Sequence, residues 1–207
     1  MADGMAPEVR VVATLGDVVT ERLALSRLES DDLAEMAAVF GHPEVWEFPF
    51  GRAFSTAETQ AFLDAQTAAW EERGFGLWSA RCRGEGRLLG FVGLSVPTFL
   101  REILPAVEVG WRLIPSAWGF GYATEGATAA LDQAFTTLGL DRVCSVPQAE
   151  NARSLRVADR LGMKPIRPVT IAATDRRGEV HAILYEITRS EWQLERGHGP
   201  SDGDELR

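Results

Sequence analysis

The chain has 207 residues, of which 45% are hydrophobic and 25% charged, and its formal net charge is −9. These values predict one soluble globular domain with a sizeable core. The acidic balance, without a basic stripe, argues against nucleic-acid binding. No apolar run approaches the ~20 residues of a membrane span and no secretory leader is visible, so we expect a cytoplasmic protein with no membrane contact.

Cysteine and histidine are too few and too scattered for a disulfide framework or a metal site. The chain has Cys82, Cys144 and three histidines, with no metal-ligand spacing among them. We therefore expect no bound metal. The polar, Gly/Pro/Asp-rich ends predict flexible tails over residues 1–8 and 196–207, on either side of a domain over 9–195.

The first half of the chain predicts strands that alternate with helices. Ser55 and Glu58 form a capping-box signature, and Gly74 ends the helix that it begins. Alternating apolar residues around a glycine-rich turn predict a hairpin. In order, the elements are a strand over 23–28 extended upstream through Val18 and Val19, a helix capped by Ser30, an aromatic loop or short helix over 42–50, a helix from the capping box to Arg73, and a hairpin of strands 75–81 and 88–96.

The second half opens with a strand over 106–113, followed by a glycine-rich loop and the best-defined helix of the chain. Ala127, Ala130, Leu131, Ala134, Phe135 and Leu138 fall at i, i+3, i+4, i+7, i+8 and i+11. A strand over 142–146, a helix over 151–161 and a hairpin of strands 164–171 and 180–187 follow. This order predicts an α/β fold with a mixed, mostly antiparallel seven-stranded sheet and helices on both faces.

The loop Trp118–Thr124 predicts a phosphate site. Its glycines, Gly119 and Gly121, lie between a strand and the first turn of a helix, where unpaired backbone N–H groups and the helix dipole attract anions. The loop lacks the Gly-Lys-Ser/Thr of a nucleotide-hydrolysing P-loop. It also lacks the third glycine of the dinucleotide fingerprint.

Two further sets of residues could carry chemistry. Glu108 and Gly110 share one face of the strand before the loop, where a ligand could approach the glycine and the carboxylate could take a proton. A solvated polar strand face is the alternative reading of Glu108. Asn151 and Ser154 stand three apart at the start of a helix, where ordinary helix capping is the preferred explanation for the two residues taken by themselves.

These motifs together resemble the GCN5-related N-acetyltransferase (GNAT) superfamily. Gly119-x-Gly121-x-Ala123 resembles its acyl-CoA pyrophosphate loop, with Trp118 at the position usually held by Gln or Arg. The string from Asn151 to Met163 resembles its second signature, Asn-x-x-Ser followed by a Leu-Gly-Met/Phe helix end. The resemblance covers about residues 20 to 192, is closest to the branch of the ribosomal-protein alanine acetyltransferases (RimJ/RimL-like), and implies a single-domain GNAT fold.

The resemblance implies roles for particular residues. Acetyl-CoA is the expected co-substrate, Glu108 the base that deprotonates the amine, and Ser154 the acid that protonates the CoA thiolate. Arg153, Arg156 and Arg160 are candidates for the 3′-phosphate, with a solvated helix face as the alternative, and for Arg160 the phosphate role is preferred over that alternative. The implied cofactor-binding residues are Val109, Trp111, Arg112, Leu113, Trp118, Gly119, Phe120, Gly121, Tyr122, Ala123, Thr124, Asn151 and Arg160.

The acceptor is the least specified part of the site. Trp46, Phe48 and Trp78 are candidates for its pocket, since aromatic residues divide between the core and binding loops. The acceptor is expected to be a primary amine, either a protein N-terminus or a small molecule. A covalent intermediate on Cys144 is disfavoured because no base accompanies it in sequence. A non-catalytic acyl-CoA sensor or subunit, a longer acyl group and a homodimer stay open.

Overall fold

The computed structural model describes residues 13 to 197. Within that range the strands are β1 (Val18–Val19), β2 (Leu23–Arg27), β3 (Leu77–Cys82), β4 (Leu88–Ser95), β5 (Glu108–Leu113), β6 (Arg142–Ser145), β7 (Lys164–Ile171) and β8 (Val180–Thr188). The helices are α1 (Leu33–Phe40), the short α2 (Glu47–Phe50), α3 (Thr56–Arg73), α4 (Tyr122–Thr136), α5 (Ala152–Arg160) and α6 (Arg189–Gly197), with single 3₁₀ turns at Ser30–Asp32, Pro43–Trp46, Arg101–Ile103 and Pro115–Ala117.

All eight strands belong to one sheet with the order β1-β2-β3-β4-β5-β6-β8-β7. Every neighbouring pair is antiparallel except β5 and β6, which run parallel. The mixed, mostly antiparallel sheet with helices confirms the predicted fold class. The sheet has one strand more than the seven predicted.

The extra strand arises where the sequence suggested one continuous strand from Val18 onward. Thr20 donates its backbone N–H to the Leu23 carbonyl at 2.9 Å, and the Thr20 hydroxyl bonds the same carbonyl at 3.3 Å. The chain reverses at this turn, so that Val18 pairs with Leu25 in an antiparallel ladder. The predicted upstream extension of the first strand is therefore wrong, because a turn separates the two segments.

Two other predicted boundaries also change. Ser30 does not cap a helix, because Glu29 is the N-cap of the first 3₁₀ turn and Asp32 reaches back to the Glu29 N–H. The helix α6 was not predicted, and residues 196 and 197 belong to it rather than to a tail. The remaining tail predictions, 1–8 and 198–207, lie outside the described residues. No described helix is long and apolar enough to cross a membrane.

The two faces of the sheet bury different clusters. On one face α4 packs against the central strands through Ala127, Ala130 and Leu131. On the other face a second cluster contains Met36 and Phe40 of α1, Leu63 of α3 and aromatic residues of the segment between these two helices. A third cluster, which includes Leu100, Cys144 and residues of β7 and β8, lies apart from the second. The middle of β5 therefore runs between separate apolar clusters.

Gly126 sets how closely α4 approaches the sheet. A Cβ placed there would lie 2.7 Å from Cγ1 of Val92 on β4. Val92 is β-branched and stiff, so it cannot turn away cheaply. The glycine thus allows the helix that follows the loop to sit directly on β4.

We predict that Gly126→Ala lowers the free energy of unfolding by about 1–3 kcal/mol through overpacking. The sign is informative because alanine in a helix interior normally stabilises relative to glycine. Chemical denaturation measures the effect, and Val92→Ala in the same chain should recover much of the loss. A Gly126→Ala protein more stable than the wild type would show that α4 does not depend on this close approach.

Candidate functional site

The segment between β5 and α4 forms a loop with two left-handed glycines. Gly119 has φ 81° and Gly121 has φ 84°, a region that residues with a Cβ rarely enter. Gly121 is the N-cap of α4, and no side chain caps this helix. The backbone N–H groups of the first turn therefore lie at the positive end of the helix dipole without a side-chain partner. This is the geometry of an anion seat.

The loop forms one wall of a cavity of about 230 Å³, which α5 and part of the segment from Glu44 to Phe48 complete. Most of the residues that the sequence predicts to contact a ligand line this cavity. They are Phe48, Trp111, Arg112, Leu113, Trp118, Gly119, Gly121, Tyr122, Ala123, Thr124, Asn151, Ser154 and Arg160.

Several polar groups of the cavity wall have no partner within the described chain. The hydroxyl of Thr124 is buried without a hydrogen bond. Arg156 and Arg160 are exposed, and between residues 13 and 197 they form no hydrogen bond or ion pair. Arg153, by contrast, bonds Glu47 at 3.1 Å and lies over the Trp118 ring at 4.1 Å. An orphaned hydroxyl and two free guanidinium groups beside an anion seat fit a ligand that carries phosphates.

Asn151 has one half of its amide engaged and the other half free. Its Oδ1 caps α5 by accepting the Ser154 N–H at 3.1 Å. Its Nδ2 forms no hydrogen bond within the described residues. The side chains of Asn151 and Ser154 both line the cavity. Capping and ligand binding are thus compatible roles for the same residue, because they use different atoms.

The cavity lies where the two central strands part. Only Glu108 and Cys144 pair between β5 and β6 in the described chain. The Val107 carbonyl accepts the Cys144 N–H at 2.9 Å, and backbone groups alternate in direction along a strand. The Val109 N–H completes this ladder pair with the Cys144 carbonyl, so the Val109 carbonyl and the backbone groups of Trp111 are the ones that point into the gap without a described strand opposite them. Val109 itself has a buried side chain, so only its backbone could contact a ligand.

Glu108 sits at the point of divergence, on the sheet face opposite α4. Its carboxylate accepts the Val146 N–H at 3.2 Å and a hydrogen bond from Ser95. Burial removes water from the carboxylate and raises the pKa of Glu108 to about 7, against the opposing effect of the two hydrogen bonds. A carboxylate of this pKa changes charge near neutral pH, as a general base should. It does not line the cavity itself.

The strand face beside Glu108 is open at Gly110 and closed at Arg112. A Cβ at Gly110 would meet nothing within 4 Å. The Arg112 guanidinium donates to the carbonyls of Val45 and Phe48 and forms no ion pair with a described carboxylate. Burial lowers the pKa of Arg112 to about 9, which still leaves it charged at neutral pH. Arg112 therefore ties the segment after Pro43 to β5.

Two of the three aromatic residues predicted for the acceptor pocket belong to the core instead. Trp78 is fully buried and donates its indole N–H to the Gly16 carbonyl at 3.2 Å. Trp46 is 5% exposed and stacks on Phe54 with ring centroids 3.9 Å apart. Both predictions are wrong because cross-sheet packing, invisible in the local sequence, covers these rings. Phe48 does line the cavity.

Two remaining candidates also lie away from the cavity. Phe120 is 64% exposed and does not line the cavity, although its neighbours Gly119 and Gly121 do. Cys144 is buried, and burial raises the pKa of its thiol far above the usual range, with the charges of Glu108 and Glu186 adding to the effect. A thiol that stays protonated is a poor nucleophile.

The cavity also contains residues that the sequence did not single out: Glu44, Val45, Ala117 and Val157. Val157 follows Ser154 by three positions on α5, so helical spacing alone could have identified it. No local signal marks Glu44 or Val45, because the fold brings them to the cavity from the other side of the sheet. Among the described residues no cluster of His, Cys, Asp or Glu could hold a metal ion.

Comparison of the sequence with known proteins identifies the family of the chain. The sequence profile described as "Acetyltransferase (GNAT) domain" matches residues 22–164. A relative described as the uncharacterized N-acetyltransferase YnaD of Bacillus subtilis (strain 168) is 39% identical over 147 residues, which are 71% of this chain and 82% of the relative. The FsC-acetyl coenzyme A-N(2)-transacetylase of Aspergillus fumigatus is 33% identical over 164 residues, 72% of this chain and 66% of its own.

A solved structure shows the same fold at lower identity. The ribosomal-protein-S5-alanine acetyltransferase of Vibrio fischeri superimposes with a TM-score of 0.66 at 18% identity, over 85% of this chain and 98% of that one. The family profile covers more than half of the chain, and a relative named an N-acetyltransferase is more than 30% identical over more than two thirds of the chain. The chain belongs to the GNAT family and is an acetyltransferase.

Proposed function

We propose that the chain transfers an acetyl group from acetyl-CoA to a primary amine by direct attack in a ternary complex. The observation that carries the proposal is the left-handed glycine loop at the start of α4, directly beside the gap between β5 and β6. The first feature suits a diphosphate and the second suits the amide groups of a pantetheine arm. A buried cysteine with a raised pKa argues against a covalent acyl-enzyme.

The donor is held by backbone groups and by α5. The N–H groups from Gly119 to Thr124 and the free Thr124 hydroxyl donate hydrogen bonds to the diphosphate, and Arg160 and Arg156 pair with the 3′-phosphate. The exposed edge of β5 from Val109 to Leu113 and the free Nδ2 of Asn151 bond the pantetheine amides. Arg153, already paired with Glu47, helps to close the cavity.

Transfer to the amine forms a C–N bond and breaks the C–S bond of the thioester, which leaves CoA thiol. Glu108 accepts the amine proton, directly or through water, and a carboxylate with a pKa of about 7 is suited to this step. The Ser154 hydroxyl, which lines the cavity without a partner in the described chain, gives a proton to the departing sulfur and recovers one from solvent.

The names of known proteins support a nitrogen acceptor. One structural neighbour is named for an alanine of ribosomal protein S5, and one relative is named an N(2)-transacetylase. We propose a primary amine as their shared feature, in a protein of the RimJ/RimL-like branch. The open strand face at Gly110, beside Glu108, is where that amine approaches.

The direct experiment is release of CoA thiol from acetyl-CoA in the presence of peptides with free N-termini and of a panel of small amines. Mass spectrometry of the product separates transfer from hydrolysis. Succinyl-CoA in parallel tests whether the site takes a longer acyl group. Acetylation of no amine, together with unmeasurable acetyl-CoA binding, would overturn the proposal.

Glu108→Gln should lower kcat by about 10²–10⁴-fold, the usual effect of losing a general base, with acetyl-CoA affinity retained. The wild-type rate should rise with pH through about 7, as the carboxylate ionises. This rise in rate should be absent in the variant. The pH–rate profiles of kcat/KM measure both effects. A variant that keeps the inflection near pH 7 would assign it to another group.

The same substitution has a stability signature that needs no acceptor. The pKa of Glu108 is higher in the fold, about 7, than its ordinary 4.5, so the folded chain binds the proton more tightly. Stability therefore falls as pH rises from about 4.5 to 7, by roughly 3 kcal/mol at most. Relative to the wild type, Glu108→Gln should gain stability between pH 5 and pH 8 in denaturation experiments, and a constant difference would contradict the raised pKa.

Asn151→Asp and Asn151→Ala separate the capping and binding roles of one side chain. Aspartate keeps the oxygen that caps α5 and loses the amide donor, so we expect near wild-type stability with weaker acetyl-CoA binding. Alanine should also lose about 1 kcal/mol of stability. Calorimetric titration and thermal unfolding give the two readouts. Unchanged affinity in the aspartate variant would exclude the amide from the donor site.

Ser154→Ala should lower kcat while acetyl-CoA affinity stays close to the wild-type value. The N–H that bonds Asn151 is a backbone group, so the cap of α5 survives the substitution. Single-turnover rates provide the measurement, because they report chemistry apart from product release. Wild-type single-turnover rates in the variant would contradict the role of Ser154 as the acid.

A further inference from the structure

The turn between β1 and β2 forms hydrogen bonds and an ion pair with the first turn of α4, although about a hundred residues separate the two segments. Glu125 of α4 accepts the Thr20 hydroxyl at 2.5 Å, the Arg22 backbone N–H at 2.7 Å and the Arg22 Nε at 2.6 Å. The Arg22 Nη2 lies 2.6 Å from Oε2, the same oxygen that accepts from Nε, so two N–H groups of the guanidinium converge on one carboxylate oxygen. Glu125 is only 15% exposed.

The same guanidinium also contacts the glycine loop. Arg22 Nη1 donates to the Phe120 carbonyl at 2.8 Å, and the group lies 4.8 Å from the centre of the Tyr122 ring. A Cβ at Gly121 would come within 3.4 Å of Arg22 Nη2. One arginine thus contacts the loop at Phe120 and Tyr122 and lies beside Gly121, while it is anchored to Glu125.

The charge of Glu125 makes this anchoring necessary for an anion-binding loop. A carboxylate in the first turn of a helix suits the dipole, but it also repels any other anion that binds there. Burial raises the pKa of Glu125, yet the hydrogen bonds from Thr20 and Arg22 outweigh burial and keep it below its usual value. Glu125 is therefore ionised at neutral pH, and Arg22 is the cation that neutralises it.

We propose that Arg22 and Glu125 form a loop clamp, which holds residues 119–122 in the phosphate-binding conformation and shields bound phosphate from the charge of Glu125. The inference rests on the proposed binding of acetyl-CoA at this loop. Arg22 acts through the loop and not on the reacting atoms, so it is a positioning residue. Its effect should appear in the affinity for ligands that carry phosphate.

The chain offers a matched control on the other side of the same turn. Arg83 Nη1 donates to the carbonyls of Thr20 at 2.9 Å and Glu21 at 3.0 Å. It makes no described contact with the loop or with Glu125. Arg83→Ala therefore perturbs the turn without altering the clamp, and a loss caused merely by a looser turn should appear in both variants.

The test compares two ligands by calorimetric titration: acetyl-CoA, and S-acetylpantetheine, which has the thioester but no phosphate. Arg22→Gln should weaken acetyl-CoA binding by at least tenfold and change S-acetylpantetheine binding by less than twofold. Arg83→Ala should leave both affinities within twofold of the wild type. Removing the unpaired carboxylate as well, in Arg22→Gln/Glu125→Gln, should give acetyl-CoA affinity at least threefold tighter than Arg22→Gln alone.

Unfolding curves of each variant confirm that the titrated protein is folded. Equal acetyl-CoA affinity in Arg22→Gln and the wild type would overturn the clamp, as would equal losses for both ligands or an equal loss in Arg83→Ala. No recovery in the double variant would overturn the shielding of phosphate from Glu125. Absence of acetyl-CoA binding by the wild type would instead overturn the proposed function, so the two failures are distinct.

Discussion

The parting of β5 from β6 is the constraint on which the rest of the site depends. Two parallel strands that pair at one position leave backbone N–H and C=O groups facing a gap, and such groups need partners. In an ordinary sheet the next strand would satisfy them. Here the gap opens beside the glycine loop and begins at Glu108, so the irregularity leaves backbone groups with which an extended polar ligand could pair.

Glu108 shows how the fold tunes a residue through its position. It forms the last ladder pair before the strands diverge, and it receives the N–H of Val146, just beyond β6. The neighbouring clusters exclude water from the carboxylate and raise its pKa to about 7. Gly110, two residues along the same face, leaves open space beside it. The desolvation of the Glu108 carboxylate and the open space beside it thus arise at neighbouring positions on one face of β5.

Features that depend on short-range geometry were accessible from the sequence. Gly119 and Gly121 take left-handed conformations that only the local turn requires, and Asn151 caps α5 as its position indicates. Trp46 and Trp78 lie in the core although the sequence predicts a pocket for them, because a sequence shows where an aromatic residue is but not what covers it. The ion pair of Arg22 with Glu125 spans 103 residues, and no local pattern links its two members.

The single ladder pair between β5 and β6 also bears on how long the folded chain survives. A sheet joined by one rung at its centre opens there more readily than one with a full ladder, and open states are the ones that proteases cleave. A ligand bonded to β5 and to α5 supplies the missing connection. At a hundred times its Kd such a ligand adds about 2.7 kcal/mol to the free energy of unfolding. The amount of intact enzyme would then follow the supply of its own acetyl donor.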